Sequence, residues 1–157
     1  MNFEEEREKV IKLGLQLIKE SQFAFLTTLD ENGLPHTRSM FNLRGKSFFP
    51  TIQPTLEPYQ DGFSIFFSTN QSSSKYQQVL KDPTACVLIT RTEEFLGLSL
   101  NGKLKIVEDM EFKKGLWVEG SEQYYSLGVN DPDYIIMQFI PSSLEWWGSG
   151  IKSKFNL

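Results

Sequence analysis

The chain has one cysteine, one histidine and no long apolar run among its 157 residues. A single cysteine, Cys86, excludes an internal disulfide and a cysteine-based metal centre. It lies within TACVLIT and reads as a small buried hydrophobe rather than a nucleophile. A single histidine excludes a multi-histidine metal site. No segment approaches the length that crosses a bilayer, and the Glu-rich start carries no apolar signal segment, so a cytoplasmic protein is expected, with no membrane partner. Positive charge is scarce as well. Sixteen Lys and Arg against 20 Asp and Glu leave a net charge of −4, which provides no basic field for nucleic acid.

Aromatic residues are abundant, with 13 Phe, 5 Tyr and 3 Trp. They suit a β-rich core or a flat apolar ligand surface, and composition alone does not separate the two. The length suits one domain with its own core. No repeat, low-complexity segment or linker interrupts it. The expected layout is a single domain over 1–157: an N-terminal helix in 1–21, a barrel in 22–147 and an irregular tail in 148–157.

Residues 3–20 carry Ile11, Leu15 and Ile18 at helical spacing, with Val10 and Leu17 beside them and Glu4, Glu5 and Glu6 at the positive end of the dipole. QFAFLTTL (22–29) and LPHTRSMFNL (34–43) read as a strand and its return around the turn Asp30-Glu31-Asn32-Gly33. Arg44-Gly45-Lys46 is a further turn, 47–52 a strand, and 53–62 a loop with two prolines. Thr84–Thr90 is a continuous apolar run, which predicts a strand buried on both faces. Leu96–Val107 alternates, with a bend or bulge expected at Asn101-Gly102. Asp109 suits the N-cap of a helix to about Val118. Residues 119–133 read as loop with a short helix, and 134–140 and 143–147 as two strands joined at Pro141. Many antiparallel strands with few helices favour closure into a barrel, which leaves no exposed sheet edge.

The stretch with chemical promise is FSIFFSTNQSSSKYQQVLKDP (63–83): strand, polar turn, short helix. The helix is expected from Ser74, where Ser74 and Gln77 form a capping-box pattern, with Tyr76, Val79 and Leu80 as its apolar face and Asp82-Pro83 as its stop. Its N-terminus offers free amide donors and a positive dipole end, ringed by the hydroxyls of Ser68, Thr69, Ser72, Ser73 and Ser74. Lys75 in the first turn opposes the dipole, and makes sense where an anion covers the helix end. From this stretch alone an ordinary capped loop with a solvated lysine is the favoured reading, since polar turns are common.

Four segments together resemble the FMN-binding split-barrel proteins related to pyridoxamine 5′-phosphate oxidase, nearest in look to the general stress protein 26 branch. They are FAFLTTLDENGLPHTRSM, FFSTNQSSSKYQQVLKDP, the strand carrying Asn101-Gly102-Lys103, and PSSLEWW, which is similar to the family's Pro-x-x-x-Glu-x-Trp signature. The resemblance implies a mainly β, antiparallel split barrel with flanking short helices, FMN as cofactor, and a homodimer with flavin at the subunit interface. It implies that Arg38 and Lys75 contact the FMN phosphate, that Ser74 adds a hydroxyl where relatives carry a second basic residue, and that Thr69, with Ser68 beside it, bonds the phosphate or flavin edge. Ser39 and Met40 would run along the isoalloxazine, and Trp147 would sit near the cofactor. Without the resemblance, Arg38 reads as a surface residue and Trp147 as core. His36 is read as a strand-surface residue, and no catalytic residue is assigned.

Two departures bear on the substrate. LWVEGSEQYYSLG (116–128), where the oxidases carry a basic residue for substrate phosphate, has neither Arg nor Lys. Their Arg-x-His after the signature Trp is replaced by Ser153 and Phe155, and their flavin-contacting Gln by Gly97. The expected function is thus a flavin-dependent oxidoreductase or reductase acting on an unknown small molecule, rather than a true pyridoxamine 5′-phosphate oxidase. The alternatives are a non-catalytic flavin carrier or stress-related sensor, or the same barrel holding haem, F420 or FAD.

Overall fold

A computed structural model describes residues 1–157. Its centre is a seven-stranded antiparallel sheet in the order β2-β1-β4-β5-β6-β3, with β7 also paired to β6. The strands are β1 (Phe23–Leu29), β2 (Pro35–Phe41), β3 (Ile65–Asn70), β4 (Thr84–Arg91), β5 (Leu96–Ile106), β6 (Tyr134–Gly148) and β7 (Ile151–Asn156). The sheet curls until its ends approach: just past β2, the Leu43 amide donates to the Phe66 carbonyl of β3 at 3.3 Å. This is the half-barrel that the alternating strands predict, with four short helices around it: α1 (Phe3–Lys19), α2 (Gln53–Leu56), α3 (Ser74–Lys81) and α4 (Met110–Gly115). No helix is long and apolar enough to cross a membrane.

Strand periodicity sorts the side chains. Ala24, Leu26, Val87, Ile89, Leu98, Leu100, Leu144 and Trp146 point inward and join Val10, Leu17 and Ile18 of α1 in the main core. Burying a side chain of this kind stabilises by about 1.5–3 kcal/mol. A second cluster around Phe66, Tyr134 and Leu116 lies beneath α2 and α4. The opposite face of the sheet stays half-exposed. It carries Phe23, Phe25 and Phe41, with Phe23 and Phe41 stacked at 5.3 Å between ring centroids.

Several expectations hold: Asp109 caps α4, although that helix ends at Gly115 rather than near Val118, and the ladder between β5 and β6 slips at Asn101/Gly102. The start of α1 is fixed by a capping box between Asn2 and Glu5 that the sequence reading did not single out. A side chain at Gly102 would collide with the backbone of Ile140 and Pro141, so the bulge needs glycine there.

Others need correction. Residues 47–52 form turns and a 3-10 turn (Pro50–Ile52) instead of a strand, running into α2 and a second 3-10 turn at Glu57–Tyr59. Pro50, Pro54 and Pro58 each sit in the first turn of one of these pieces, where a fixed φ and a missing N–H cost nothing. β4 is buried on one face only, because Cys86 and Leu88 look to the half-exposed side. The two strands expected at 134–140 and 143–147 are one strand of 15 residues. Pro141 is tolerated because it falls where β3 has stopped pairing with β6 and β7 has not begun. The tail is not irregular. Gly148, Ser149 and Gly150, all at positive φ, turn the chain back, and Ile151, Ser153 and Phe155 alternate inward along β7. The sheet therefore continues to Asn156 rather than ending at 147. In α3 the N-cap is Ser73, not Ser74, and Leu80 faces solvent.

Candidate functional site

β2 is an edge strand, and its inward positions are those paired with the inward positions of β1. Arg38 stands opposite Leu26 and Met40 opposite Ala24. Arg38 is thus carried into the mouth of the barrel beside α3. There its guanidinium Nη1 donates to Thr28 Oγ1 at 2.7 Å and to the Leu26 carbonyl at 3.3 Å, while Nη2 donates to Gln78 Oε1 at 3.3 Å. Thr28 in turn donates to the same Gln78 oxygen at 2.6 Å. Lys75 approaches from the first turn of α3. Both cations are half-buried and neither has a carboxylate partner. Burial lowers the Arg38 pKa. Lys75 is lowered by burial first and by the neighbouring Arg38 charge second. Two like charges held together without counter-ions, at the positive end of an eight-residue helix, make a site prepared for an anion.

The loop that presents α3 is held by a residue the sequence did not single out. Asp133, just before β6, accepts from Asn70 Nδ2 at 2.5 Å, from the Ser72 amide at 2.8 Å and from Ser72 Oγ at 3.2 Å. Those bonds, the Asn70 one foremost, hold its carboxyl below the usual aspartate range. Ser73 Oγ accepts from the Tyr76 amide and lies 3.3 Å from Thr69 Oγ1. The hydroxyls of the turn therefore fix the helix start, leaving the Ser74 end exposed.

The expected site residues divide by strand face. Arg38, Lys75, Ser74 and Thr69 lie around the helix N-terminus, and Met40 packs on the core beside them. Ser68 faces the other way, into the second cluster, next to Tyr125, whose hydroxyl burial pushes up to about 12. Ser39 points to the outer face opposite Phe25. Trp147 is on that outer face too, on β6, four strand spacings or roughly 19 Å along the sheet from Arg38. Its indole lies flat against Gly97, where any side chain would meet the ring. His36 is half-exposed and paired with Asp30 at 2.8 Å, as expected of a surface residue. Sequence reasoning missed Thr28 and Gln78 as well as Asp133. Thr28 was detectable as a polar residue at an inward position of an otherwise apolar strand, and Gln78 lies one turn on from Lys75.

Comparison with known proteins agrees with this architecture. A family model described as pyridoxamine 5′-phosphate oxidase matches residues 14–147. Among solved structures, a protein from Clostridium acetobutylicum related to general stress protein 26 of Bacillus subtilis, of the pyridoxine phosphate oxidase family, superposes with a TM-score of 0.74 at 26% identity, covering 96% of each chain. General stress protein 26 from Bacillus anthracis gives 0.72 at 18% identity, over 94% of this chain and 98% of that one. A haem-binding protein from Mycobacterium smegmatis shares the fold at 13% identity and a TM-score of 0.66, over 93% of this chain and 57% of that one. No curated protein matches the chain in sequence.

Proposed function

The chain belongs to the pyridoxamine 5′-phosphate oxidase family, and on that premise we propose that it binds FMN between two copies of itself and works as a flavin-dependent oxidoreductase on a substrate without a phosphate group. The observation that carries this reading is the pair Arg38 and Lys75, half-buried, unpaired with any carboxylate and set at the start of α3. A phosphate would meet a bidentate guanidinium, an ammonium and free helix amides, and would relieve the repulsion between the two cations. Thr28 and Gln78 would hold the guanidinium in place, and Asp133 would hold the loop. The isoalloxazine would run past Met40 along the edge of β2, where peptide groups are left free for it.

Trp147 lies too far away, and on the wrong face, to touch a flavin held by Arg38 of its own chain. A Trp147 contact to the flavin would therefore come from a second copy, and the half-exposed face bearing Phe23, Phe25 and Phe41 is the apolar surface that such a copy would cover. When bound, FMN supplies the hydride or electron chemistry. Against a vitamin B6 substrate, Ser153 and Phe155 are buried in β7, and the segment 116–128 has no cation. Against haem, the one histidine is tied to Asp30 on the surface.

The test is sedimentation of protein mixed with FMN and then desalted, followed at the visible flavin band, with NADH or NADPH added afterwards. Flavin moving with a dimer and turning over on reductant is the expected result. Flavin left behind removes the cofactor, a flavin-bearing monomer removes the interface site, and reduction without cycling makes the protein a carrier.

The affinity for FMN should also depend on pH. A bound phosphate raises the lowered Lys75 pKa again, so binding takes up a proton once the free lysine has begun to lose its own. Affinity then falls as pH rises through the lowered lysine value, below the ordinary 10.5, and falls again on the acid side, where the phosphate takes its second proton at about pH 6. Titrating FMN at a series of pH values checks this. Lys75→Arg should flatten the alkaline limb and leave the acid one.

A further inference from the structure

Three cations meet where the end of α1, the turn after β2 and the chain leaving the Glu57–Tyr59 turn come together. Lys19, Arg44, Lys46, Gln53 and Gln60 line a nook of about 20 Å³ there, with no apolar side chain among them. The backbone fixes this meeting. Asn42 Nδ2 donates to the carbonyls of Ile18 and Ser21, each at 2.8 Å, and the Lys46 amide donates to the Lys19 carbonyl at 2.9 Å. Gly45 permits the approach, since a Cβ there would strike the Ser21 carbonyl. None of the three cations belongs to an ion pair. Asp61 acts on the Arg44 charge but does not line the nook. Glu20, beside Lys19 in sequence, is bonded to Gln16 and Arg91 instead. Arg44 is almost wholly buried. It spends three of its five N–H donors on carbonyls, which leaves the Nε hydrogen and one on Nη2 without a partner.

We propose that this nook binds a single halide ion, chloride being the one a cell supplies, held by Arg44, Lys19 and Lys46. Charge selects an anion. Each cation is repelled by the other two, and a neutral water in the nook would leave that repulsion in place. Size selects which anion. One water-sized sphere needs about 10–15 Å³, so the nook takes one atom of halide size and excludes phosphate or sulfate with their four oxygens. The helix dipole accounts for Lys19, which stands at the C-terminal end of α1. It does not account for Lys46, which sits on a turn. The ion would clasp the end of α1 to the chain entering β3, a junction that exists only in the folded protein. Chloride would therefore bind the folded chain and not the unfolded one, and so stabilise it. The site shares no residue with the Arg38–Lys75 pair and holds with or without flavin.

The experiment follows the melting temperature while sodium chloride replaces sodium gluconate at constant ionic strength, which keeps general screening fixed. The melting temperature should rise along a saturating curve, by about 3–6 °C at a chloride concentration ten times its dissociation constant. Sodium bromide should act in the same way. Lys46→Gln, at an exposed position, should lose the rise, yet melt no lower than the parent in gluconate, because it sheds a repulsion. The double variant Arg38→Ala with Lys75→Ala should keep the rise, which separates this nook from the other pair of cations. In crystals soaked in bromide, the anomalous signal should lie among Lys19, Arg44 and Lys46. Equal melting in the two salts, a rise that survives Lys46→Gln, a rise lost with Arg38 and Lys75, or a nook holding water while bromide sits elsewhere would each overturn the assignment.

Discussion

Replacing Arg38 and Lys75 together by alanine should weaken FMN binding by about 3–6 kcal/mol, because each charge-assisted contact to a phosphate contributes roughly 1.5–3 kcal/mol. Riboflavin, which has no phosphate, should bind the variant as it binds the parent protein. The two affinities, read from fluorescence quenching of the flavin, separate a lost phosphate contact from a damaged barrel. The apoprotein offers a second, opposite expectation. Both cations are held half-buried at a cost, and each repels the other. Removing them leaves Thr28 still bonded to Gln78. The empty variant should therefore unfold at the same denaturant concentration as the parent or a higher one. FMN affinity unchanged in the double variant would end the phosphate assignment, and a large loss of stability would mean the pair is structural.

The largest stability effect is expected elsewhere. Arg44 is buried to 2% of its surface, and its guanidinium donates to the carbonyls of Gly62 at 2.7 Å, Ser64 at 2.6 Å and Gln60 at 3.3 Å. It joins the turn after β2 to the chain entering β3, where the curled sheet meets itself. Burial lowers its pKa to about 10, with Asp61 opposing, so it stays charged at neutral pH. Arg44→Ala strands three carbonyls and opens a hole. At about 1–3 kcal/mol for each buried polar group left unpaired, partly recovered by entering water, the loss should be about 3 kcal/mol. In a domain of this size that lowers the melting temperature by roughly 6–12 °C. Arg44→Lys, with one ammonium for three acceptors, should recover only part of it. A melting temperature unchanged in Arg44→Ala would show the carbonyls satisfied without it.

Arg44 also shows where sequence reasoning stops. In Arg44-Gly45-Lys46 it looks like any turn residue, and nothing local says that three carbonyls from 16 to 20 residues downstream will converge on it. The elements set by local rules were readable: the amphipathic α1 with its acidic first turn, the hairpin at Asp30–Gly33, the Asp109 cap, the bulge at Asn101-Gly102. Those set by neighbours were not. The alternation in IKSKFN (151–156) is a strand pattern, yet its value depends on β6 running past Pro141 to receive it. The cap of α3 fell on Ser73 instead of Ser74 because three successive serines look alike until Thr69 and Asp133 fix the turn. For the site, Arg38 and Lys75 were legible through family resemblance and lie together in space. Thr28 left only the trace of a polar residue at an inward strand position, and Gln78 and Asp133 were not legible, since their roles are contacts across 40 and 63 residues.

The dependence of the helix-start loop on Asp133 has a consequence for how the protein is made. β3 ends at Asn70 and its partner β6 begins at Tyr134, so on the ribosome β3 waits unpaired while the intervening chain is synthesised. Pairings this distant in sequence form late and slowly, and an unpaired apolar strand such as IFFSTN invites association with other chains in the interval. Arg38 and Lys75 are both synthesised early, but the loop between them has no clasp until Asp133 arrives with β6. On the proposed function, anion binding would be among the last properties the nascent chain acquires, and FMN would load after closure of the sheet instead of guiding it.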